Sequence, residues 1–314
     1  MKRNIIIPLL LVCLSSCNAS PKEGRFTFFD TKAVVRLYEG NEENIKTLSK
    51  DFSLLDRLSD NYLSRDIFNV YEINKSNDVV SVDPALYDLL KTSFTYASTY
   101  KQFNPLCGSL TKKWKEALKD NQVLSQEVIN AGLEKINNTT VEFLDNYQIQ
   151  RTGEAEIDLG AVAKGYALDG ACSYLSSQNI HQYLVNLGDS SILLGEKNTD
   201  DGLFTIKIKN LDNSYLKLKN CYISTSSISE QGKKIGDVTY SHIVNPVTGS
   251  VVNLHDAVIV ITSNGALGDI LSTAMMNYTI EEIKQIEQSE NVKCIVIKDN
   301  AAEYCHEGIN IVHE

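Results

Sequence analysis

The sequence predicts an α+β protein, because segments with helical spacing and short strand-like runs follow one another without a regular strand–helix–strand alternation. The strand-like runs are separated by Gly, Asn and Asp, as in sheets built from short strands. The composition, 43% hydrophobic and 22% charged, is that of a soluble globular protein, and 314 residues allow one large domain or two modest ones. A net charge of −10 argues against a nucleic-acid partner, since neutralising phosphates takes clustered Lys and Arg.

The N-terminus has the order of a bacterial lipoprotein signal. MKR supplies a positive start, IIIPLLLV an apolar stretch too short to span a bilayer, and LSSC a small-residue site that ends in Cys17. We expect residues 1–16 to be removed and Cys17 to be lipidated; an ordinary secretory signal with an incidental cysteine is the alternative. Residues 17–24 would then form a lipidated tether before a domain of residues 25–314. The protein would lie in the cell envelope, lipid-anchored to a bacterial membrane on its extracytoplasmic side.

The elements before residue 140 are predicted from their periodicity. Alternating apolar residues indicate a strand, and apolar residues three or four apart indicate helices. Asp83 followed by a proline is typical of a helix start. The strand, the two helices and a polar helix-prone segment are, in this order, 25–38, 41–63, 83–100 and 112–136.

The second half is predicted to be rich in strands. The strand-like runs are HQYLVNLGDSSILLGE (181–196), LFTIKIKN (203–210), YLKLKN (215–220), CYIST (221–225), YSHIVN (240–245) and DAVIVIT (256–262). A helix is expected over 264–278. The five cysteines after Cys17 form no Cys-x-x-Cys pair, and Cys294 and Cys305 are two that a hairpin could bring together.

The stretch IDLGAVAKGYALDGACSYL (157–175) is predicted to be a strand end, a tight turn at Gly160 and a helix starting at Ala161. Ala163, Ala167, Ala171 and Leu175 recur every four residues and give this helix a face of mostly small residues, which would let it pack closely on a sheet. Lys164 stands in the first turn, where the helix dipole disfavours a cation. Because a helix N-terminus binds anions through its free N–H groups, we expect an anion beside Lys164.

Four further stretches place polar groups at turns or strand ends, and each alone has an ordinary structural explanation. Asp269 and Thr273 lie four residues apart and therefore share one face of the predicted helix. The stretches are the loop-like YKQFNPLCGSLTKKW (100–114), the glycine turn NLGDSS (186–191), the hydroxyl-rich and His242-containing region 224–249, and NGALGDILSTAMMNY (264–278).

Together and in this order, these stretches resemble the FAD:protein FMN transferase (ApbE) family. KQFNPLCGSLTKKW is similar to its G-A-F-[DN]-x-x-V-G-P-L-x-x-x-W stretch, and Asp158 to Asp169 resembles its D-L-G-x-[IV]-A-K-G-Y-A-[VL]-D motif. NLGD, TSS, HIVNPVTG and GDILSTA are similar to N-[LIV]-G-G, T-S-G, H-I-[IV]-[DN]-P-x-T-G and A-D-x-[LM]-S-T-A. The resemblance implies an ApbE-like single catalytic domain over 25–314, with mixed or antiparallel sheets packed by helices.

The chain departs from the family pattern in loops around the expected flavin. These departures concern contacts to the isoalloxazine and adenine rings more than the charged centre. They are Lys101-Gln102 in place of Gly-Ala, Asp189 for the second glycine of the G-G turn, Ser227 for the glycine after Thr-Ser, Gly268 for the alanine before Asp269, and Asp30-Thr31 where many members have Met-Gly-Thr.

By this resemblance, Mg²⁺ is the expected cofactor and FAD the substrate, and the FAD pyrophosphate is the anion expected beside Lys164. Asp269, Thr273 and the Ala161 carbonyl would be the metal ligands, a set of hard oxygens that Mg²⁺ prefers. His242 and Asp269 would be catalytic. The residues implied to bind the flavin nucleotide are Gln102, Phe103, Asn104, Asp158, Lys164, Gly188, Ser226, His242 and Ile243.

The reaction implied is the transfer of FMN from FAD to a Thr or Ser hydroxyl of a flavin-accepting protein, such as a membrane redox-complex subunit, with release of AMP. His242 is a candidate for deprotonating or positioning that hydroxyl, since imidazole titrates near neutral pH, but a structural role is equally compatible with the sequence. Two alternatives remain, an Mg²⁺-dependent FAD pyrophosphatase and a lipoprotein that only binds flavin. Asp269 and Thr273 argue against the second, because a carrier needs no metal at the scissile bond.

Overall fold

The computed structural model describes residues 20–209, 211–229 and 231–313. The predicted signal peptide and Cys17 lie outside these residues. Within them, every helix is too short or too polar to cross a membrane.

Helices and strands alternate irregularly along the described chain, which confirms the α+β class. The helices are α1 Glu42–Ser59, α2 Val70–Lys75, α3 Pro84–Thr99, α4 Gly108–Lys119, α5 Gln126–Asn137, α6 Ala163–Ser177, α7 Gly265–Met275 and α8 Ile280–Glu290. The strands are β1 Lys22–Phe28, β2 Thr31–Leu37, β3 Val79–Ser81, β4 Thr140–Leu144, β5 Gln148–Thr152, β6 Tyr183–Leu187, β7 Ser191–Leu194, β8 Phe204–Lys207, β9 Ser214–Leu218, β10 Cys221–Ser227, β11 Lys233–Ile235, β12 Val238–Tyr240, β13 Ala257–Thr262, β14 Lys293–Lys298, β15 Ala301–Cys305 and β16 Ile311–His313.

An eight-stranded sheet organises the described residues, in the order β1-β2-β6-β7-β10-β13-β14-β15, and its neighbouring strands pair antiparallel. Helix α7 packs on β10 and β13, α6 packs on α7, and α1 packs on α6. Small antiparallel sheets, β16-β9-β8 and β3-β5-β4, flank this arrangement. Helices cover one face of the central strands and the small sheet β16-β9-β8 covers the other, so β13 is buried along its whole length.

The segment 25–38, predicted as one strand, is a hairpin. Strands β1 and β2 are joined by Phe29 and Asp30, both with positive φ (53° and 54°), and the Phe29 N–H donates to the Asp56 carboxylate at 2.8 Å. Phe-Asp lacks the Asn-Gly or Asp-Gly signature of such turns, which explains why the pattern concealed it. Strand β1 begins at Lys22, so the folded domain starts before the predicted boundary at residue 25.

The predicted helices over 41–63 and 83–100 are present as α1 and α3, and the Asp83 carboxylate accepts the Ala85 N–H at 2.8 Å as expected of an N-cap. The segment 112–136 forms α4 and α5. Because α4 begins at Gly108, the expectation that 100–114 is loop-like was wrong for its second half. In the run 240–245, only Tyr240 belongs to a strand.

The motif at 157–175 also differs from its prediction. Residues 157–159 form no strand, and α6 begins at Ala163 rather than Ala161, after a turn over 160–162. The alanine face is buried, and Ala167 and Ala171 pack in one apolar cluster with side chains of β2 and β6, as expected for a helix lying on a sheet. Helix α6 also meets α7, where Gly165 and Gly265 approach so closely that a Cβ on either would overlap the other's carbonyl oxygen. This approach brings the start of α6, with Lys164, against the first turns of α7, with Asp269.

The cysteines of the described chain are free. Cys294 and Cys305 do lie on neighbouring strands, but Cys305 pairs with Ile295 in the β14–β15 register. Because side chains alternate across a strand, Cys294 points to the opposite face of the sheet from Cys305. The two cysteines are therefore on adjacent strands of one hairpin, as expected, but their thiols face different parts of the core.

Candidate active site

A cavity of 360 Å³ lies where the starts of α4 and α6, the end of α1, β10 and α7 converge. Its volume is within the range of small-molecule sites. All the residues predicted for the site line it except Gly188 and Cys17: Gln102, Phe103, Asn104, Asp158, Ala161, Lys164, Ser226, His242, Ile243, Asp269 and Thr273. The five sequence stretches thus meet in one place.

Asp269 is the buried charged group at the base of the cavity, with 6% of its surface exposed. Its Oδ1 accepts hydrogen bonds from the hydroxyls of Ser191 (2.8 Å) and Ser224 (2.7 Å), and its Oδ2 accepts the Gly165 N–H (2.7 Å). Burial raises the pKa of Asp269, while the Lys164 charge and these three donors oppose that rise. The donors favour the ionised carboxylate, because each bonds to its charged form.

Further oxygen groups lie one helical turn along α7, at the hydroxyls of Ser272 and Thr273. The Ser226 hydroxyl on β10 lies 3.0 Å from the first and 3.2 Å from the second, and Ala161 lines the same cavity. The described residues contain no group of three or more His, Cys, Asp or Glu side chains that could hold a metal. A cation here would therefore depend on one carboxylate, hydroxyl and carbonyl oxygens, and oxygens of a bound ligand.

Lys164 is the second residue of α6 and lines the cavity. Its charge lowers the pKa of both Asp269 and His242, so it acts electrostatically on two functional groups at once. Within the described residues its ammonium forms no salt bridge.

The helix end beside Lys164 is less open than the sequence indicated. The Ala163 N–H donates to the Leu159 carbonyl at 2.9 Å, and the Gly165 N–H donates to Asp269. These donors are therefore already used by the protein, contrary to the expectation of free N–H groups. An anion in the cavity would rely chiefly on the Lys164 side chain.

His242 lies in an irregular segment after β12 and is largely buried. Burial first, and then the charges of Lys115 and Lys164, lower the pKa of His242 to about 4, and the charge of Asp158 opposes them. Its Nδ1 is buried and has no hydrogen-bond partner in the part of the chain that the structure describes. With this pKa, His242 is a neutral imidazole at pH 7, and one of its ring nitrogens has no partner among the described residues.

The predicted flavin-contact residues on the loop after α3 have unequal freedom. Asn104 uses its Oδ1 to accept the Leu106 N–H at 2.9 Å, and Phe103 is buried in the core beneath the cavity. Gln102 has a buried Oε1 without a partner among the described residues. Gln102 therefore offers a buried acceptor that a donor of a ligand in the cavity would satisfy.

Gly188 does not line the cavity, contrary to its predicted role. It has φ +71° in the β6–β7 turn, and a Cβ there would overlap the Thr31 hydroxyl. The glycine is required by this turn and by its contact with β2, whereas Ser190 and Ser191, which follow it, reach the cavity.

Sequence reasoning missed one wall of the cavity. Its residues come from the β1–β2 turn, the end of α1 and the loop after it, α4 and the segment after β10, and apart from Asp30 and Thr111 they lie outside the positions compared with the family pattern. Only the helical positions of Thr111 and Lys115 on one face of α4 hinted at a shared role. The missed lining residues include Asp30, Asp56, Asp60, Asn61, Tyr62, Arg65, Thr111, Lys115 and Gln231.

Comparison with known proteins identifies relatives of this chain. The sequence model of the ApbE family matches residues 29–296. A protein of Klebsiella pneumoniae named FAD:protein FMN transferase is 27% identical over 283 residues, covering 85% of this chain and 86% of that protein. One of Chlamydia muridarum with the same name is 24% identical over 274 residues, covering 82% and 83%.

Solved structures show the same fold. The ApbE protein of Thermotoga maritima superposes with a TM-score of 0.76 at 24% identity, covering 94% of this chain and 97% of that one. A mutant of the flavin transferase ApbE of Vibrio cholerae gives a TM-score of 0.74 at 20% identity, again covering 94% and 97%.

Proposed function

Because this chain belongs to the ApbE family, we propose that it is an FAD:protein FMN transferase that moves FMN from FAD onto a Thr or Ser hydroxyl of a target protein and releases AMP. The relatives that share most of its length carry the name of this activity. The observation that carries the proposal is the meeting of Lys164, His242, Asp269 and Thr273 around one cavity.

The transfer needs one bond broken and one formed at the FMN phosphorus. The acceptor oxygen bonds to that phosphorus, the bond to the bridging oxygen of the pyrophosphate breaks, and AMP departs with that oxygen. The hydroxyl proton must go to a base. His242 supplies one, because it is neutral and its Nδ1 is unpaired among the described residues.

Lys164 suits the negative charge of the pyrophosphate, and the oxygen groups of the cavity suit a metal ion bound beside it. Lys164 offers an ammonium without a salt bridge in the described chain, and a charge-assisted contact to phosphate is stronger than a neutral one. The Asp269 carboxylate, the Thr273 hydroxyl and the Ala161 carbonyl fit Mg²⁺, which prefers hard oxygen ligands. When bound, Mg²⁺ would stabilise the negative charge of the phosphates and of the leaving AMP.

We further propose that the mature protein is attached to a membrane by lipid on Cys17 and acts on the extracytoplasmic side. The support is the order of positive, apolar and small residues before Cys17. Its acceptor would then be an envelope protein, such as a subunit of a membrane redox complex.

The test is covalent flavin on denatured acceptor proteins. Envelope proteins from a strain lacking this gene are incubated with the purified protein, FAD and Mg²⁺, then separated under denaturing conditions and examined for flavin fluorescence. We expect a fluorescent band and equimolar AMP with the wild type, and neither with Asp269→Ala. AMP released at the same rate without acceptors would instead establish the pyrophosphatase, and flavin binding without AMP would establish a carrier.

A further inference from the structure

Two buried serines hold the Asp269 carboxylate from the sheet side. Ser191 on β7 and Ser224 on β10 are direct cross-strand partners, and both side chains are 1% exposed. Their hydroxyls lie 2.8 and 2.7 Å from the same oxygen, Asp269 Oδ1. We call Ser191 and Ser224 the serine pair.

The hydrogen bonds to Asp269 leave it little capacity to accept more. An ionised carboxylate has about four acceptor positions, two on each oxygen. The serine pair uses both positions of Oδ1, and the Gly165 N–H uses one of Oδ2. With four positions and three donors, one position remains, and it belongs to Oδ2.

We infer that the serine pair makes Asp269 a one-oxygen ligand and thereby favours Mg²⁺ over Ca²⁺ at this site, an inference that rests on the proposed function. Mg²⁺ demands near-octahedral geometry and binds through few carboxylate oxygens, whereas Ca²⁺ takes six to eight ligands and often both oxygens of one carboxylate. A carboxylate with Oδ1 blocked suits the first ion and not the second. The serine pair are positioning residues, because they act through Asp269.

The residue before Asp269 is shaped to this arrangement. A Cβ on Gly268 would lie 2.8 Å from the Ser224 hydroxyl and 2.9 Å from a methyl carbon of Thr262. An alanine there would push Ser224 away from Oδ1. The glycine at 268, a departure from the family pattern, is thus accounted for by the presence of the Ser224 hydroxyl.

A matched control exists for the general cost of losing a buried hydroxyl. Ser93 is also fully buried, but its hydroxyl donates to the Leu89 carbonyl of its own helix at 2.7 Å. Ser93→Ala should therefore change stability without changing metal preference, in contrast to Ser191→Ala and Ser224→Ala.

The experiment measures the FAD affinity of the full-length protein with Mg²⁺, with Ca²⁺ and without metal. Binding is monitored by stopped-flow flavin fluorescence within the first turnover, before FAD is consumed. A metal that bridges protein and phosphates raises FAD affinity by linkage. We expect the wild type to bind FAD more tightly in Mg²⁺ than in Ca²⁺. In Ser191→Ala/Ser224→Ala the Mg²⁺ effect should fall about tenfold, the usual size for a lost partner of a ligand, while the Ca²⁺ effect holds or grows.

Three outcomes separate the two levels of the proposal. No metal effect and no AMP release in the wild type would refute the proposed function itself. A metal effect in the wild type with a Mg²⁺-to-Ca²⁺ ratio that the double variant retains would overturn only the inference on the serine pair. If the double variant does not fold, Ser191→Ala, Ser224→Ala and Gly268→Ala should each lower the Mg²⁺-to-Ca²⁺ ratio by about threefold, which is half of the tenfold effect on a logarithmic scale. An unchanged ratio in all three variants would equally overturn the inference.

Discussion

Replacing Lys164 by methionine should weaken FAD binding and leave riboflavin binding unchanged. Methionine keeps most of the apolar stem of the side chain and removes its charge. Lys164 lines the cavity and makes no salt bridge in the described chain, so no protein carboxylate is left unpaired by the change. The change also removes the charge that lowers the pKa of Asp269 and of His242, and a ligand without phosphate shows how much of any loss comes from that.

The magnitude follows from one charge-assisted contact. Hydrogen bonds to charged groups are worth about 1.5–3 kcal/mol. Since 1.4 kcal/mol is tenfold in affinity, FAD should bind about ten- to one-hundredfold more weakly. Because the N–H groups at the start of α6 are partly used by Leu159 and Asp269, the helix end offers little compensation.

The assay is a pair of fluorescence titrations, with FAD and with riboflavin, on wild type and Lys164→Met. Riboflavin has no phosphate, so it reports any general damage to the cavity. Equal losses for both ligands, or an unchanged FAD affinity, would falsify the assignment of Lys164 to the pyrophosphate.

Three further predictions address stability and location. The pKa of His242 is lowered from 6.5 to about 4, so unfolding takes up a proton between these pH values, and the free energy of unfolding should fall by about 3 kcal/mol as the pH drops from 7 to 4. In urea melts at the two pH values, the free energy of unfolding of His242→Gln should fall by about 3 kcal/mol less than that of the wild type, and equal decreases would contradict the prediction. Gly165→Ala should destabilise by about 2–3 kcal/mol because its Cβ would overlap the Gly265 carbonyl, whereas Gly170→Ala, with open space around it on the same helix, should be neutral or stabilising; equal effects of the two would refute the argument. Cys17→Ser should shift the protein from the membrane to the soluble fraction or leave it unprocessed, and an unchanged mass and membrane fraction would contradict lipidation.

Local signals in the sequence were sufficient where one element carried its own pattern. The N-cap at Asp83 and the amphipathic period of α1 need only neighbours in the chain, and both were predicted correctly. The β1–β2 turn failed because its positive φ angles fall on Phe29 and Asp30 and are fixed by a hydrogen bond to Asp56, far along the chain. A tertiary contact overrode the local preference there, and no pattern of neighbouring residues records it.

The candidate site divides in the same way. The residues carried by motifs were predicted to converge and do converge, apart from Gly188, whose glycine serves a turn. The wall from α1, the loop after it and α4 was not predicted, because polar residues in a loop or on the polar face of an amphipathic helix are indistinguishable in sequence from ordinary surface. The use of Gly165 as a donor to Asp269 also depends on two helices touching, which the sequence of neither helix reveals.

The electrostatics of the cavity link substrate binding to the strength of the base. His242 has a pKa of about 4 because of its burial first, and then because the charges of Lys115 and Lys164 repel a proton there. A base is most effective when its pKa lies near the working pH, so His242 with these charges unbalanced is a weak one. Negative phosphates beside Lys164 would offset that repulsion and raise the pKa of His242 towards neutrality. The same lysine that holds the pyrophosphate would thus keep the imidazole unprotonated beforehand and strengthen it as a base once FAD is bound.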